Sequence, residues 1–530
     1  MKNRNSTYNT LFHWHNFRLR LVMQGILVGV LSGLLVVLYR FLLEEAGNLA
    51  HKIYILQTQK SYLVPIWFMT LALLSYIVGV MVKKEPMISG SGIPQVEGVL
   101  LRKLNVNWLR VIIGKFIGGV LSIGAGLSLG REGPSVQIGA SVGQGFSRVF
   151  KRVKIEEKYL ITSGASAGLA AAFNAPLAGV IFALEEVHKN FYPLVLLSSM
   201  SASLTADFIS KNFFGLKPVF DFRSLHALPL NQYIYLIILG IVLGIFGMFF
   251  NKVLIKTQDF YINKKWLPVE FRPMIPFLIA GVLGLFLPQV LGGGHELIGS
   301  VVEGKYTKSM IFIILVIKFI FTMLSYGSGA PGGIFLPLLV IGALTGDLYG
   351  TIIVEYLNVD SRYITNFIIL AMAGYFTAIV KAPITGSILI TEMTGSFSHL
   401  LPLTIVSIVS YIVIDILNSE PIYELLLDRA LHKRGKNEFR GDKSKKILLE
   451  VAVCLGTELD GKMVKEIKWP HNTLLVAIKR GEVEIIPKGK TTISAGDYLI
   501  ALVNEDEAPE ITQKLKAMAG NFDIENISSC

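Results

Sequence analysis

Long apolar runs at 22–43, 62–82, 109–129, 193–214, 233–255, 273–291, 309–325 and 399–417 alternate with segments that are equally apolar but broken. The broken segments, 86–104, 130–149, 160–187, 327–350 and 364–394, are cut by glycine, proline and single charges. A bilayer admits only chain whose backbone N–H and C=O groups are satisfied internally, so the long runs must be helices. Interrupted helices are tolerated there only where their freed backbone groups face protein or a polar cavity. Transporters use such half-helices to aim helix ends at a substrate near the midplane. The alternation therefore predicts an all-α polytopic membrane protein with broken helices. A composition of 52% apolar and 17% charged residues agrees, since a soluble domain has no use for so much apolar surface.

The net charge of +12 is not a nucleic-acid signal here. Lysine and arginine lie in short loops and near both ends, which fits the positive-inside bias and places both termini in the cytoplasm of a multi-pass cell inner (plasma) membrane protein. The first run continues into Arg40, Glu44 and Glu45 without a small-residue cleavage site, so it reads as a retained span. Two cysteines, Cys454 and Cys530, and scattered histidines give no metal site. No serine triad or P-loop is present, and the chain is not expected to be an enzyme.

Two blocks recur in order. Ile138-Gly139-Ala140-Ser141-Val142-Gly143 returns as Ile341-Gly342-Ala343-Leu344-Thr345-Gly346, and Ala175-Pro176-Leu177-Ala178-Gly179 as Ala382-Pro383-Ile384-Thr385-Gly386. Each proline is followed nine residues later by a glutamate, Glu185 or Glu392. The matched spacing predicts a duplicated half. The expected divisions are a cytoplasmic N-terminal segment at 1–20, a transmembrane domain at 21–430 with halves at about 21–215 and 232–430, a basic linker at 431–446 suited to anionic lipid, a compact domain at 447–520 and a tail at 521–530. The N-terminal segment reads as a short interfacial helix or a disordered tail. Strands are predicted at 447–455, 473–479, 482–487 and 498–503, a short helix at 461–467 and a closing helix at 507–519.

Four stretches carry candidate chemistry. Gly130-Arg131-Glu132-Gly133-Pro134 puts a carboxylate beside a helix start within apolar sequence. A charge at bilayer depth costs ~2.5–3.5 kcal/mol, so it marks a functional path, although a capping glutamate neutralised by Arg131 also fits. In Gly90-Ser91-Gly92-Ile93-Pro94 the Ser91 hydroxyl and the amides after it are donors that an anion can use, and an ordinary serine N-cap also fits. In Gly332-Gly333-Ile334-Phe335-Leu336-Pro337 the glycines let backbone amides approach a ligand, leaving Ile334 and Phe335 N–H as donors. A helix-packing glycine pair fits equally. Tyr423, past the last apolar run, is a phenol that also suits an interfacial belt.

Together these stretches resemble the CLC family of chloride channels and chloride/proton exchangers over most of 20–430. The resemblance implies the CLC fold, with two inverted-topology halves and one anion pathway per subunit of a homodimer. It implies that chloride, a bound substrate and not a cofactor, is held by Ser91, Tyr423 and the amides of Ile334 and Phe335. It implies that Glu132 is the external gate and that Glu186 passes protons internally. Leu336 stands where alanine is frequent in the family. Ionised Glu132 would compete with the anion, and protonated Glu132 would admit it. Glu185 and Glu186 also fit side chains snorkelling at a cytoplasmic helix end.

The segment around 447–518 is similar to the TrkA-C domain, with Gly461-Lys462-Met463-Val464, Leu475–Gly481 and Ala495-Gly496-Asp497 as its marks. This adds a small cytosolic α+β domain, expected to be regulatory or dimerising and to take a small ligand of unassigned identity. The resemblance to potassium systems also raises a cation transporter, which the lack of a TVGYG-like filter or acidic ring opposes. The function expected is a secondary active chloride/proton antiporter. The alternative is a passive voltage- or pH-gated chloride channel of the same fold. A fluoride/proton antiporter is disfavoured by the Ser and Arg-Glu pattern, and Ser91 favours chloride over nitrate. Arg131 has no role that sequence assigns.

Overall fold

The computed structural model describes residues 2–216, 218–220, 227–264, 266–433, 446–481, 483–504 and 507–520, with backbone only for 2–16 and for 509. The bulk of the basic linker (434–445), the tail 521–530 and His226 lie outside the described residues. The chain divides between Lys433 and Arg434 into two units.

In the first unit one order of helices occurs twice. The first pass runs α1 (Lys2–Gln59), α2 (Leu63–Lys84), α3 (Ile93–Leu100), α4 (Trp108–Gly124), α5 (Glu132–Val149), α6 (Lys154–Phe173), α7 (Pro176–Phe182) and α8 (Pro193–Phe214). The second runs α9 (Tyr233–Asn263), α10 (Met274–Phe286), α11 (His295–Val302), α12 (Lys308–Gly327), α13 (Phe335–Leu357), α14 (Ile364–Val380), α15 (Pro383–Thr394) and α16 (Leu400–Ile416), and α17 (Ile422–Lys433) follows. Among the described residues, 9 helices are long and apolar enough to cross a membrane. They include α13 and the Ser361–Val380 stretch, both overlapping segments that composition marks as broken. There the breaks fall at the helix ends, at Pro331–Ile334 and at Lys381–Ala382, and leave the spans whole. The N-terminal segment differs from expectation: α1 is one helix from Lys2 to Gln59, with no separate interfacial helix.

The duplication reaches further than the two recurring blocks. Gly90-Ser91-Gly92 precedes α3, and Gly292-Gly293-Gly294 precedes α11, both helices being 8 residues long. The outer glycines of each triplet match in conformation, with φ of 62° and 91° in the first and 59° and 91° in the second. These left-handed values are open to glycine at little cost. A fully buried lysine braces each loop. Lys115 Nζ donates to the carbonyls of Ile88 (2.9 Å) and Gly90 (2.6 Å), and Lys318 Nζ to those of Val290 (2.9 Å) and Gly292 (2.7 Å).

The two glutamates nine residues past the prolines exchange partners between the halves. Glu392, on α15, accepts from Leu177 N (3.1 Å) and Ala178 N (2.8 Å) at the start of α7. Glu185, in the turn that follows α7, accepts from Ile384 N (3.2 Å), Thr385 N (2.7 Å) and Thr385 Oγ1 (2.7 Å) at the start of α15. Each carboxylate meets the positive end of the other half's helix, where orphan N–H groups await an acceptor. The snorkelling alternative for Glu185 therefore gives way to a cross-brace.

The second unit is a four-stranded antiparallel sheet, β1 (Lys446–Ala452), β2 (Leu474–Arg480), β3 (Val483–Ile485) and β4 (Asp497–Asn504), ordered β1-β4-β2-β3, with α18 (Ala508–Ala519) on one face. Strand alternation puts Val451, Ile478, Leu499, Ala501 and Val503 inward against Ile511 and Leu515. Asp497 is paired in register with Arg480 and accepts both Nε and Nη2, each at 2.7 Å. Only a 3₁₀ turn at Val464–Glu466 forms where a short helix is predicted, and β1 and β3 are shorter than expected.

Candidate anion and proton site

Three interrupted stretches are joined through their backbones. Gly130 and Gly333 exchange hydrogen bonds as an antiparallel bridge, N to O at 2.6 and 2.7 Å. Gly332 N donates to the Gly90 carbonyl at 3.0 Å, and Ser89 Oγ to that of Gly329 at 3.0 Å. The glycine motifs, far apart in the chain, thus bring the starts of α3, α5 and α13 together. Side chains would obstruct this contact: a Cβ on Gly130 would collide with Glu132 Oε2 and stand 3.1 Å from Leu336 N.

At the start of α3, Ser91 is 1% exposed. Gly92 holds the N-cap position and no side chain caps the helix, so Ser91 is not an ordinary cap. Its Oγ accepts from Tyr326 Oη at 3.5 Å and Ile93 N at 3.4 Å, both long. At the start of α13, Ile334, Phe335 and Leu336 are buried, and first-turn N–H groups of a helix have no intrahelical acceptor. The Phe335 ring is locked by Phe173, Phe182 and Phe376, at centroid distances of 5.3, 5.8 and 4.5 Å. Tyr423, in the first turn of α17, is fully buried, and its Oη has no partner among the described residues. It is not an interfacial belt residue. Tyr326, Glu186 and Glu132 are the ionisable groups whose charges reach its phenol.

Glu132 is the first residue of α5 and fully buried, and neither carboxylate oxygen is bonded within the described residues. Its neighbour Arg131 turns elsewhere, giving Nη1 to Glu44 Oε1 on α1 at 2.9 Å. Arg40 Nε meets the same oxygen at 3.4 Å. A capping glutamate neutralised by Arg131 is therefore not what the chain builds. Glu186 lies in a π-helical turn, Ala183–His188, that continues α7. It is 5% exposed, and its Oε1 is unbonded within the described residues. π turns of this kind concentrate at functional sites.

Ser91, Glu132, Ile334 and Phe335 are thus all buried around one junction, and Tyr423 is buried in α17, which packs on α3. Sequence motifs miss Tyr326, Lys115, Glu97 and Glu44. Lys115 is legible in retrospect as the one lysine of the 109–129 run, and its Nζ donates to the Gly90 carbonyl in the Ser91 loop. Buried hydroxyls and helix N-termini beside interrupted helices, with buried carboxylates near them, are features of the membrane-transporter class.

Comparison with known proteins gives the family. Residues 72–415 match the voltage gated chloride channel family, and residues 448–516 the TrkA-C domain. The H(+)/Cl(-) exchange transporter ClcA of Salmonella paratyphi B (strain ATCC BAA-1250 / SPB7) is 34% identical over 431 residues, 79% of this chain and 90% of the relative. Among solved structures, a slow cyanobacterial Cl-/H+ antiporter matches with a TM-score of 0.75 at 30% identity, covering 78% of this chain and 99% of that one. A CLC-type fluoride/proton antiporter, 24% identical with a TM-score of 0.62, covers 74% of this chain and 94% of its own, and shares the fold. The chain belongs to the voltage-gated chloride channel (CLC) family and carries a C-terminal TrkA-C domain.

Proposed function

We propose that this protein is a secondary active chloride/proton antiporter. The observation that carries the reading is the pair of buried carboxylates, Glu132 and Glu186, each with an oxygen unbonded within the described residues and both within reach of Tyr423. A passive anion path needs at most one protonatable gate, whereas exchange needs a second group to hand the proton on. The relatives named as H+/Cl- exchangers support the same reading.

Chloride is held by Ser91 Oγ, Tyr423 Oη and the N–H groups of Ile334 and Phe335. Neutral donors bind weakly enough for the ion to leave. Ionised Glu132 takes the anion's place at the amides of α5 and α13. On protonation it loses its attraction to them, swings away and admits chloride, and the proton passes to Glu186 through transient water. Chloride and protons are the transported partners, and no cofactor enters. The protein works as a homodimer in the plasma membrane with both termini cytoplasmic, the basic linker lying against anionic lipid. The TrkA-C domain regulates or dimerises and takes a small ligand.

Reconstituted into liposomes, the protein is expected to drive protons uphill when a chloride gradient is imposed. Chloride flux with no accompanying proton movement defeats the antiport reading and leaves the passive channel.

A further inference from the structure

Three of the side chains assigned to the pathway sit on three separate elements. Ser91 precedes α3, Glu186 lies in the π-helical turn, and Tyr423 is in α17. One lysine joins these elements. Lys189, the residue directly after the π turn, places its Nζ 2.7 Å from Glu97 Oε1 on α3 and also on Glu424 Oε1 of α17. Glu97 lies six residues after Ser91, and Glu424 directly follows Tyr423.

The charges there do not balance. Glu97, Glu186 and Glu424 face a single ammonium, and Glu97 Oε2 and Glu186 Oε1 are buried without partners among the described residues. Glu185 is held by the amides of α15 and carries the same sign as the cluster, and His188 Nδ1 is bonded to Thr162 Oγ1 at 2.8 Å. Lys103 contributes a weaker positive charge near Glu97. Helix packing alone does not call for a lysine here. Its place between two carboxylates, beside a third, makes it an ion-pair bridge across the elements that carry the site.

We infer that Lys189 is a positioning residue: a clasp that, by pairing with Glu97 and Glu424 together, holds Ser91 and Tyr423 closed over the inner end of the chloride path. Glu97 is 4% exposed while Lys189 and Glu424 keep 34% and 46% of their side-chain exposure. The Glu424 arm is therefore the one that can part in water, and the Glu97 arm keeps the lysine in place. Releasing Glu424 frees α17 and Tyr423 while Glu186 stays screened. This rests on the antiport reading of the same site.

The test compares full-length wild type with Lys189→Met, Lys189→Arg, Glu424→Gln and the double variant Lys189→Met/Glu424→Gln, in liposomes loaded with chloride and a pH dye. Lys189→Met and Glu424→Gln are each expected to raise chloride turnover by roughly fivefold or more, the low end of ordinary coupling between sites, and to lower the number of protons moved per chloride. Lys189→Arg, which keeps the charge, is expected to match wild type, and the double variant to exceed neither single one. Glu424→Gln alters a half-exposed group and keeps the test alive if Lys189→Met does not fold. Unchanged turnover and proton ratio in Lys189→Met or Glu424→Gln overturns the clasp. So does a lower yield with an unchanged ratio, the mark of a merely structural role. A wild type that moves no protons would defeat the antiport reading instead, and the chloride turnover of the variants would still judge the clasp.

Discussion

Arg131 is adjacent to Glu132 in the chain yet gives its guanidinium to Glu44. A first-turn carboxylate next to an arginine looks neutralised on paper. The fold spends that arginine on α1, which leaves Glu132 free to be held by backbone amides when ionised and released when protonated. Glu44→Gln should return the guanidinium to its neighbour and hold Glu132 in place. The expected outcome is a lower external pH for half-activation of chloride flux, read from flux at graded external pH, and an unchanged profile would show that Glu44 does not restrain Arg131. Asp497 offers a second residue-scale test, in the C-terminal domain. Burial acts to raise its pKa, but the two-bond clamp from Arg480 and the Ser494 N–H bring the net shift below the ordinary value of 3.8. A carboxylate depressed on folding adds stability above its unfolded pKa and loses it as pH falls through the folded one. The domain should thus lose this contribution on acidification below pH 3.8. Asp497→Asn should cost about 2 kcal/mol at neutral pH, since Arg480 is partly exposed, and should remove that acid-dependent part. Chemical denaturation at several pH values checks both.

At the scale of elements, the glycine motifs were legible because glycine there is required by the backbone. Gly130 and Gly333 bond each other main chain to main chain, and Gly90 accepts from Gly332. What the motifs did not disclose was the partner loop. Gly292-Gly293-Gly294 repeats the φ values of Gly90-Ser91-Gly92 but lacks its serine and its proline, so only the fold and the paired Lys115 and Lys318 reveal it. The spacing of Glu185 and Glu392 was legible too, while their exchange across the halves was not, because spacing carries no information about which helix start faces which carboxylate. Removing either charge leaves two buried-end amides with a weaker acceptor. Glu392→Gln and Glu185→Gln should each destabilise the membrane unit by about 1–2 kcal/mol, read as a lower thermal midpoint in detergent. The Glu185 change should leave proton coupling intact, since Glu186 is the assigned carrier. At Gly130 an alanine should disable transport as well as cost stability, because its methyl meets the Glu132 carboxylate and crowds Leu336 N.

For the whole molecule, composition and hydropathy suffice to predict a polytopic helical protein with a small strand-rich unit behind it. They misjudge continuity. The 58 residues of α1 read as an interfacial piece plus a span, because a change in polarity along a helix carries no signal of a break. The reverse error appears at α13 and α14, where flanking glycine and proline make complete spans look fragmented. In the proposed antiport, two carboxylates, Glu132 and Glu186, work in sequence along one path. Neutralising either should separate the two ion movements without closing the path to chloride. The most direct measurement is parallel recording of chloride and proton flux in liposomes for wild type, Glu132→Gln and Glu186→Gln. The account predicts coupled, uphill proton movement in wild type, and retained chloride flux with proton movement lost in both variants. Proton coupling that survives Glu186→Gln unchanged would contradict it.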